Sequence, residues 1–152
     1  TCISAGMPVI MDNPYPMEFY KDGDDIVMHL EVWDGLRRIY MNDASGRENA
    51  APSPLGYSTG HWEDKVLVIH TDRINYPFFD DLGTPQSGNL KIVERYTLSE
   101  DETRLDWEAV AEDPEVFTEP VLLDGYMVWV LGSSRRCYSG QDLDRRTRRR
   151  GI

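Results

Sequence analysis

The stretch Leu90-Lys91-Ile92-Val93-Glu94-Arg95-Tyr96-Thr97-Leu98 alternates with a period of two, turns through Ser99-Glu100-Asp101-Glu102, and returns as Arg104-Leu105-Asp106-Trp107-Glu108-Ala109-Val110-Ala111-Glu112. Ile92, Glu94, Tyr96 and Leu98 fall on one face of the first run, with Lys91, Val93, Arg95 and Thr97 on the other. In the return run Leu105, Trp107, Ala109 and Ala111 share a face, and Arg104, Asp106, Glu108 and Glu112 oppose them. That is the pattern of a β-hairpin with one buried side. It also puts the Glu94 carboxylate on the side meant for the core.

Outward from this hairpin the chain keeps the same period. Strands are expected at Met17–Lys21, Ile26–Trp33, Leu36–Met41, Lys65–Thr71 and Tyr126–Leu131, with turn chemistry at Asp22-Gly23 and Asp34-Gly35 and a stop at Asp113-Pro114. Several strands are apolar on both faces, and no helical period of 3.6 residues emerges. The fold class expected is all-β: an antiparallel, seven- to eight-stranded, lipocalin-like barrel with two long loops, residues 42–60 and 72–88. The second loop carries Tyr76, Phe78 and Phe79, so it reads as a lid or packed flap. The domain division expected is an extended, proline-punctuated segment 1–16, a barrel 17–137 and a basic tail 138–152.

The 152 residues suffice for one domain with its own core. The net charge is −11, and Arg145, Arg146, Arg148, Arg149 and Arg150 supply five positive charges near the end, so the rest carries −16. Such a body repels nucleic acid and anionic membranes, and the arginines read as a tail drawn to its own acidic domain. No apolar run reaches the about 20 residues a membrane helix needs. Cys2 and Cys137 lie near opposite ends; they are either free thiols or a clip worth about 4–5 kcal/mol in the chain-entropy account.

Gly56-Tyr57-Ser58-Thr59-Gly60-His61-Trp62-Glu63-Asp64-Lys65-Val66-Leu67-Val68-Ile69-His70-Thr71 resembles the signature G-x-S-x-G-x-W-E-G-D-T-L-V-V-x-T of a group of secreted bacterial proteins of uncharacterised function. The same resemblance extends to Cys2–Pro8 (a cysteine before G-M-P), Arg37-Arg38-Ile39-Tyr40-Met41, Val93-Glu94-Arg95-Tyr96, Glu112-Asp113-Pro114 and Thr118-Glu119-Pro120. It covers about residues 2–137 and implies a secreted or periplasmic β-barrel. His70 stands where the group carries an acid, and Asp64-Lys65-Val66 replaces its G-D-T turn.

Gly56-x-Ser58-x-Gly60 also matches a hydrolase nucleophile elbow, but it precedes a strand with no helix after it, so it reads as a turn packed by small residues. Gly60-x-Trp62 is similar to the lipocalin G-x-W; Trp62 is expected in the core. A buried Glu94 must be paired or protonated, and Arg38, on the strand face of Leu36 and Tyr40, is the expected partner. Two roles stay open: a Glu–Arg brace, or a lumen carboxylate that moves protons. On the second, Glu94 and His70 are the candidate catalytic pair. Arg38, Tyr40, Tyr126, Glu31, His29 and Phe78 would then contact substrate, and the chemistry would be a cofactor-free lyase, isomerase or cyclase reaction on a small apolar or aromatic molecule. The alternatives are a non-catalytic lipocalin-like binder and a metal-dependent enzyme using His29 and His70, with His61 as a third ligand. Cofactor: none. Partners: a small hydrophobic molecule, no nucleic acid, no membrane insertion; a homodimer is compatible with the sequence.

Overall fold

The computed structural model describes residues 4–41 and 49–129. Eight strands, β1 (Met17–Asp22), β2 (Asp25–Leu30), β3 (Gly35–Tyr40), β4 (Tyr57–Glu63), β5 (Val66–Asp72), β6 (Lys91–Leu98), β7 (Arg104–Glu112) and β8 (Val121–Val128), lie side by side in chain order. The sheet curls into a half-barrel, with β1 and β8 as its two edges among the described residues. The all-β class therefore stands. The purely antiparallel expectation does not: β3 and β4 run parallel, joined by two register pairs, Ile39↔Ser58 and Tyr40↔Thr59. That seam is the shortest in the sheet.

Strand β4 replaces the small-residue turn expected at 56–60. Glycine, serine and threonine hide it from a propensity reading, yet Gly56, Ser58 and Gly60 each have a structural reason to stand where they do. Gly56 opens the strand at φ +71°, in the left-handed region. A Cβ on Gly60 would sit 2.6 Å from Ile39 Cγ2, so the close approach of β4 to β3 depends on its absence. The last strand begins at Val121 rather than Tyr126, and β2 stops at Leu30, where a turn carrying Trp33 and Asp34 at positive φ leads into β3.

The concave face holds the core: Ile26, Met28, Leu30, Ile39, Leu67, Ile69, Ile92, Trp107, Ala109 and Ala111 are all buried. A curled sheet of eight strands cannot cover that face alone. Met7, Ile10 and Met11, the last two on a short 3₁₀ turn (Val9–Asp12) within the segment expected to be extended, fill it from the N-terminal side. Ile74, Phe79 and Leu90 fill it from the β5–β6 connection. Phe79 meets Phe117 edge-on at 4.9 Å, and Gln86 Nε2 donates to the carbonyls of Met7 (2.9 Å) and Tyr76 (2.8 Å). The connection is thus a packed flap. Asp113 anchors its far end, accepting from Ser87 N (2.6 Å) and Ser87 Oγ (2.7 Å). Cys2, Cys137 and the arginine cluster lie outside the described residues.

Candidate functional site

Alternation along β6 turns Glu94 and Tyr96 inward, as the sequence pattern requires, and Glu94 is 0% exposed. Its partner is Arg37, not Arg38. Arg37 shares the inward parity of Ile39, whereas Leu36, Arg38 and Tyr40 face outward. Arg37 Nη1 donates to Glu94 Oε1 (3.1 Å), and Nη2 donates to Oε2. The same guanidinium donates through Nε to Ser58 Oγ (3.0 Å) and through Nη2 to Thr71 Oγ1 (2.6 Å). Ser58 and Thr71, opposite each other on β4 and β5, are themselves 2.9 Å apart. Tyr96 OH (3.0 Å) and Trp107 Nε1 (3.1 Å) donate to Glu94 Oε1.

One buried polar network therefore crosses five strands, β3 to β7, and bridges the two-pair parallel seam. Three of the segments set apart in the sequence, 37–41, 56–71 and 93–96, meet in it. Sequence reasoning missed Arg37, Ser58, Thr71, Tyr96 and Trp107 as members. The available signal was Ile39: it is the apolar residue of β3 that must face the core, and it carries Arg37 with it.

The chemistry of the network follows from its hydrogen bonds. A carboxylate has about four lone-pair sites. Glu94 receives four donors, three of them on Oε1 (Arg37 Nη1, Tyr96 OH and Trp107 Nε1) and one, Arg37 Nη2, on Oε2, so the carboxylate is held by a charged partner and two neutral donors. Burial works against the Arg37 charge, but the adjoining Glu94 carboxylate more than offsets it and holds the guanidinium above its ordinary pKa. Burial, reinforced by the Glu94 charge, pushes the Tyr96 phenol well above its usual value. The folded state thus keeps a proton on Tyr96 that the unfolded chain releases above about pH 10. Stability contributed by Tyr96 is full below that pH and declines as pH rises, by about 1.4 kcal/mol per pH unit. In urea titrations between neutral and alkaline pH, Tyr96→Phe is expected to show a shallower alkaline loss than the wild type.

The remaining predicted residues do not join Glu94. His70 is exposed on the convex face, stacked on His61 at 5.7 Å, so the expected catalytic pair is split across the sheet. Arg38 is tied to Asp22 and Asp25 on that same outer face. Tyr40 stacks on Tyr57 at 4.8 Å, and both line an open depression of about 420 Å³ with Leu36 and Arg38. His29 bonds Asp34 Oδ1 at 2.8 Å on β2, three strands from His70 on β5, which corrects the expected metal pairing. Glu31 lies just past the end of β2, Phe78 is half-exposed on the flap, and Tyr126 is exposed on the outside of β8. No group of three or more His, Cys, Asp or Glu side chains arranged to hold a metal ion occurs among the described residues. No helix among them is long and apolar enough to cross a membrane.

A second feature of the concave face was not legible in the sequence. Trp62, Leu67, Tyr96, Trp107 and Gly125 stand opposite one another across β4 to β8, and Leu98, Leu105 and Met127 form the next row. Phe19 reaches Tyr96 edge-on at 5.6 Å. Tyr96 and Trp107 are buried, but Trp62 is 57% exposed, Leu98 is 40% exposed, and Phe19, Leu105 and Met127 are partly open. Trp62 is neither the core residue expected nor a plug. It stands exposed at the β4 end of a cross-strand row whose Tyr96 and Trp107 donate to Glu94. Comparison with protein-family models, curated proteins and solved structures returned no match for this chain.

Proposed function

We propose that the chain is a non-catalytic binding protein of lipocalin type, which holds a small apolar or aromatic molecule against the concave rim formed by Trp62, Phe19, Leu98, Leu105 and Met127. The observation that carries this reading is the exposed Trp62 on the inward parity of β4, on the face that buries the core. Large aromatic surface left open at a concave site is what a planar apolar ligand stacks upon. The buried ion pair of Glu94 with Arg37, joined by Tyr96 and Trp107, supports binding over acid/base chemistry, since that bracing role needs no ligand. Arg38 is already paired to two aspartates and the chain is strongly acidic, so a neutral molecule is favoured over an anion. The secreted or periplasmic setting implied by the resemblance belongs to the same proposal.

The test is a fluorescence titration with N-phenyl-1-naphthylamine, a neutral apolar probe. Wild type is expected to bind it with quenching of tryptophan emission, and Trp62→Ala to weaken binding about tenfold or more with unfolding stability nearly unchanged. Equal binding by wild type and variant, or no binding by either, would refute the proposal.

A further inference from the structure

The two edges of the half-barrel are built differently. Strand β1 carries Glu18, Lys21 and Asp22 among six residues, the charges that keep an open edge from pairing. Strand β8, Val121-Leu-Leu-Asp-Gly-Tyr-Met-Val128, has one charge in eight residues, no lysine or proline, and an unbroken register against β7. Its outer face presents Leu122 (76% exposed), Tyr126 (66%) and Val128 (59%). We propose that β8 is a self-association edge, at which a second copy of this chain adds its own β8 antiparallel to the first and continues the sheet across a two-fold axis.

The sequence of β8 fits itself in one register. A two-fold axis perpendicular to the sheet keeps outer face beside outer face, so only residues of equal parity stand opposite. Centred on Gly125, this places Leu122 opposite the partner's Val128 and Asp124 opposite the partner's Tyr126, each pair occurring twice. Centring on Asp124 instead would set two carboxylates face to face, which is unfavourable. Within one copy Asp124 already stands opposite Glu108 on β7. The Gly125-centred register gives Asp124 a tyrosine hydroxyl as a donor on its other side. Leu122, Tyr126 and Val128 of the two copies, six exposed apolar side chains on one face, line the seam beside the paired backbones, and Trp129, whose indole donates to the Glu102 carbonyl, lies beyond it. Because the whole chain carries −11, like-charge repulsion opposes this contact and salt strengthens it.

Sedimentation velocity on the full chain across a dilution series tests the inference. A reversible monomer–dimer equilibrium is expected, tightened by added salt. Leu122→Lys is expected to raise the dissociation constant about tenfold or more, whereas Leu36→Lys, also on an exposed leucine but on β3, leaves it unchanged. Hydrogen exchange on the unmodified chain reads the same edge without a variant: β8 amides become slower as concentration rises. A chain that stays monomeric throughout, a dimer indifferent to Leu122→Lys, or β8 amides protected equally at every dilution would each overturn the proposal.

Discussion

Replacing Glu94 by leucine is expected to destabilise the fold by about 3–5 kcal/mol, a large part of the about 5–15 kcal/mol a domain has. The change strands the Arg37 guanidinium with no counter-charge in a site from which water is excluded, and it orphans Tyr96 OH and Trp107 Nε1 as well. Arg37→Met is expected to cost a similar amount for the mirrored reason, leaving a buried carboxylate with two neutral donors. The double variant decides between a brace and a mere pair of buried charges. Removing both charges eliminates the desolvation problem each single variant creates, so the two effects are expected to fall short of adding by about 1–3 kcal/mol. Recovery should stay incomplete, because in the double variant Ser58 and Thr71 lose Arg37 while Tyr96 and Trp107 lose Glu94. Urea unfolding of the four proteins measures the coupling directly. Strict additivity would contradict the brace.

The second large effect lies at the N-terminal plug. Met7 and Ile10 are almost completely buried, although both precede the first strand. Truncating either to alanine opens a cavity under the half-barrel and is expected to cost about 2–5 kcal/mol. Both are in the same core cluster, so the double truncation approaches the whole stability of the domain. Loss of the cooperative unfolding transition in that double variant, monitored by near-ultraviolet circular dichroism, is the expected result. A fold that tolerates both changes with little loss would mean that β1–β8 close their core unaided.

How far the sequence could be read is clearest residue by residue. Glu94 and Trp107 alternate with apolar neighbours on long, regular strands, so their inward direction follows from the period of two. Strand β7 appears at the boundaries the alternation sets, Arg104–Glu112. The choice between Arg37 and Arg38 could not be made the same way. Leu36 and Tyr40 outweigh Ile39 on a count of apolar residues, but Leu36 is 60% exposed and Tyr40 is stacked outside on Tyr57. Burial of Arg37 is dictated by Glu94, 57 residues away in the sequence, and no local pattern encodes that distance. Strand β4 escaped for a related reason. Its glycines and its serine suit a turn locally, and only the close approach of Ile39 and the reach of Arg37 require them in a strand. Trp62 shows the limit from the other side: its parity is correct, but position at the open end of the curl leaves it exposed.

The two roles that the sequence left open for Glu94 are separated by the bonds around it. A brace keeps all its partners whether or not a ligand is present. A working acid or base must exchange one of them for the substrate. The four tryptophan indoles report this difference, because Trp107 donates to Glu94 while Trp62 stands at the rim. The most direct measurement is a two-dimensional nitrogen–proton NMR titration with the neutral naphthylamine probe. The Trp62 indole signal is expected to shift and broaden while the Trp107 indole signal stays where it is. Movement of Trp107 with Trp62 unchanged would place the ligand at the buried carboxylate and contradict the bracing role.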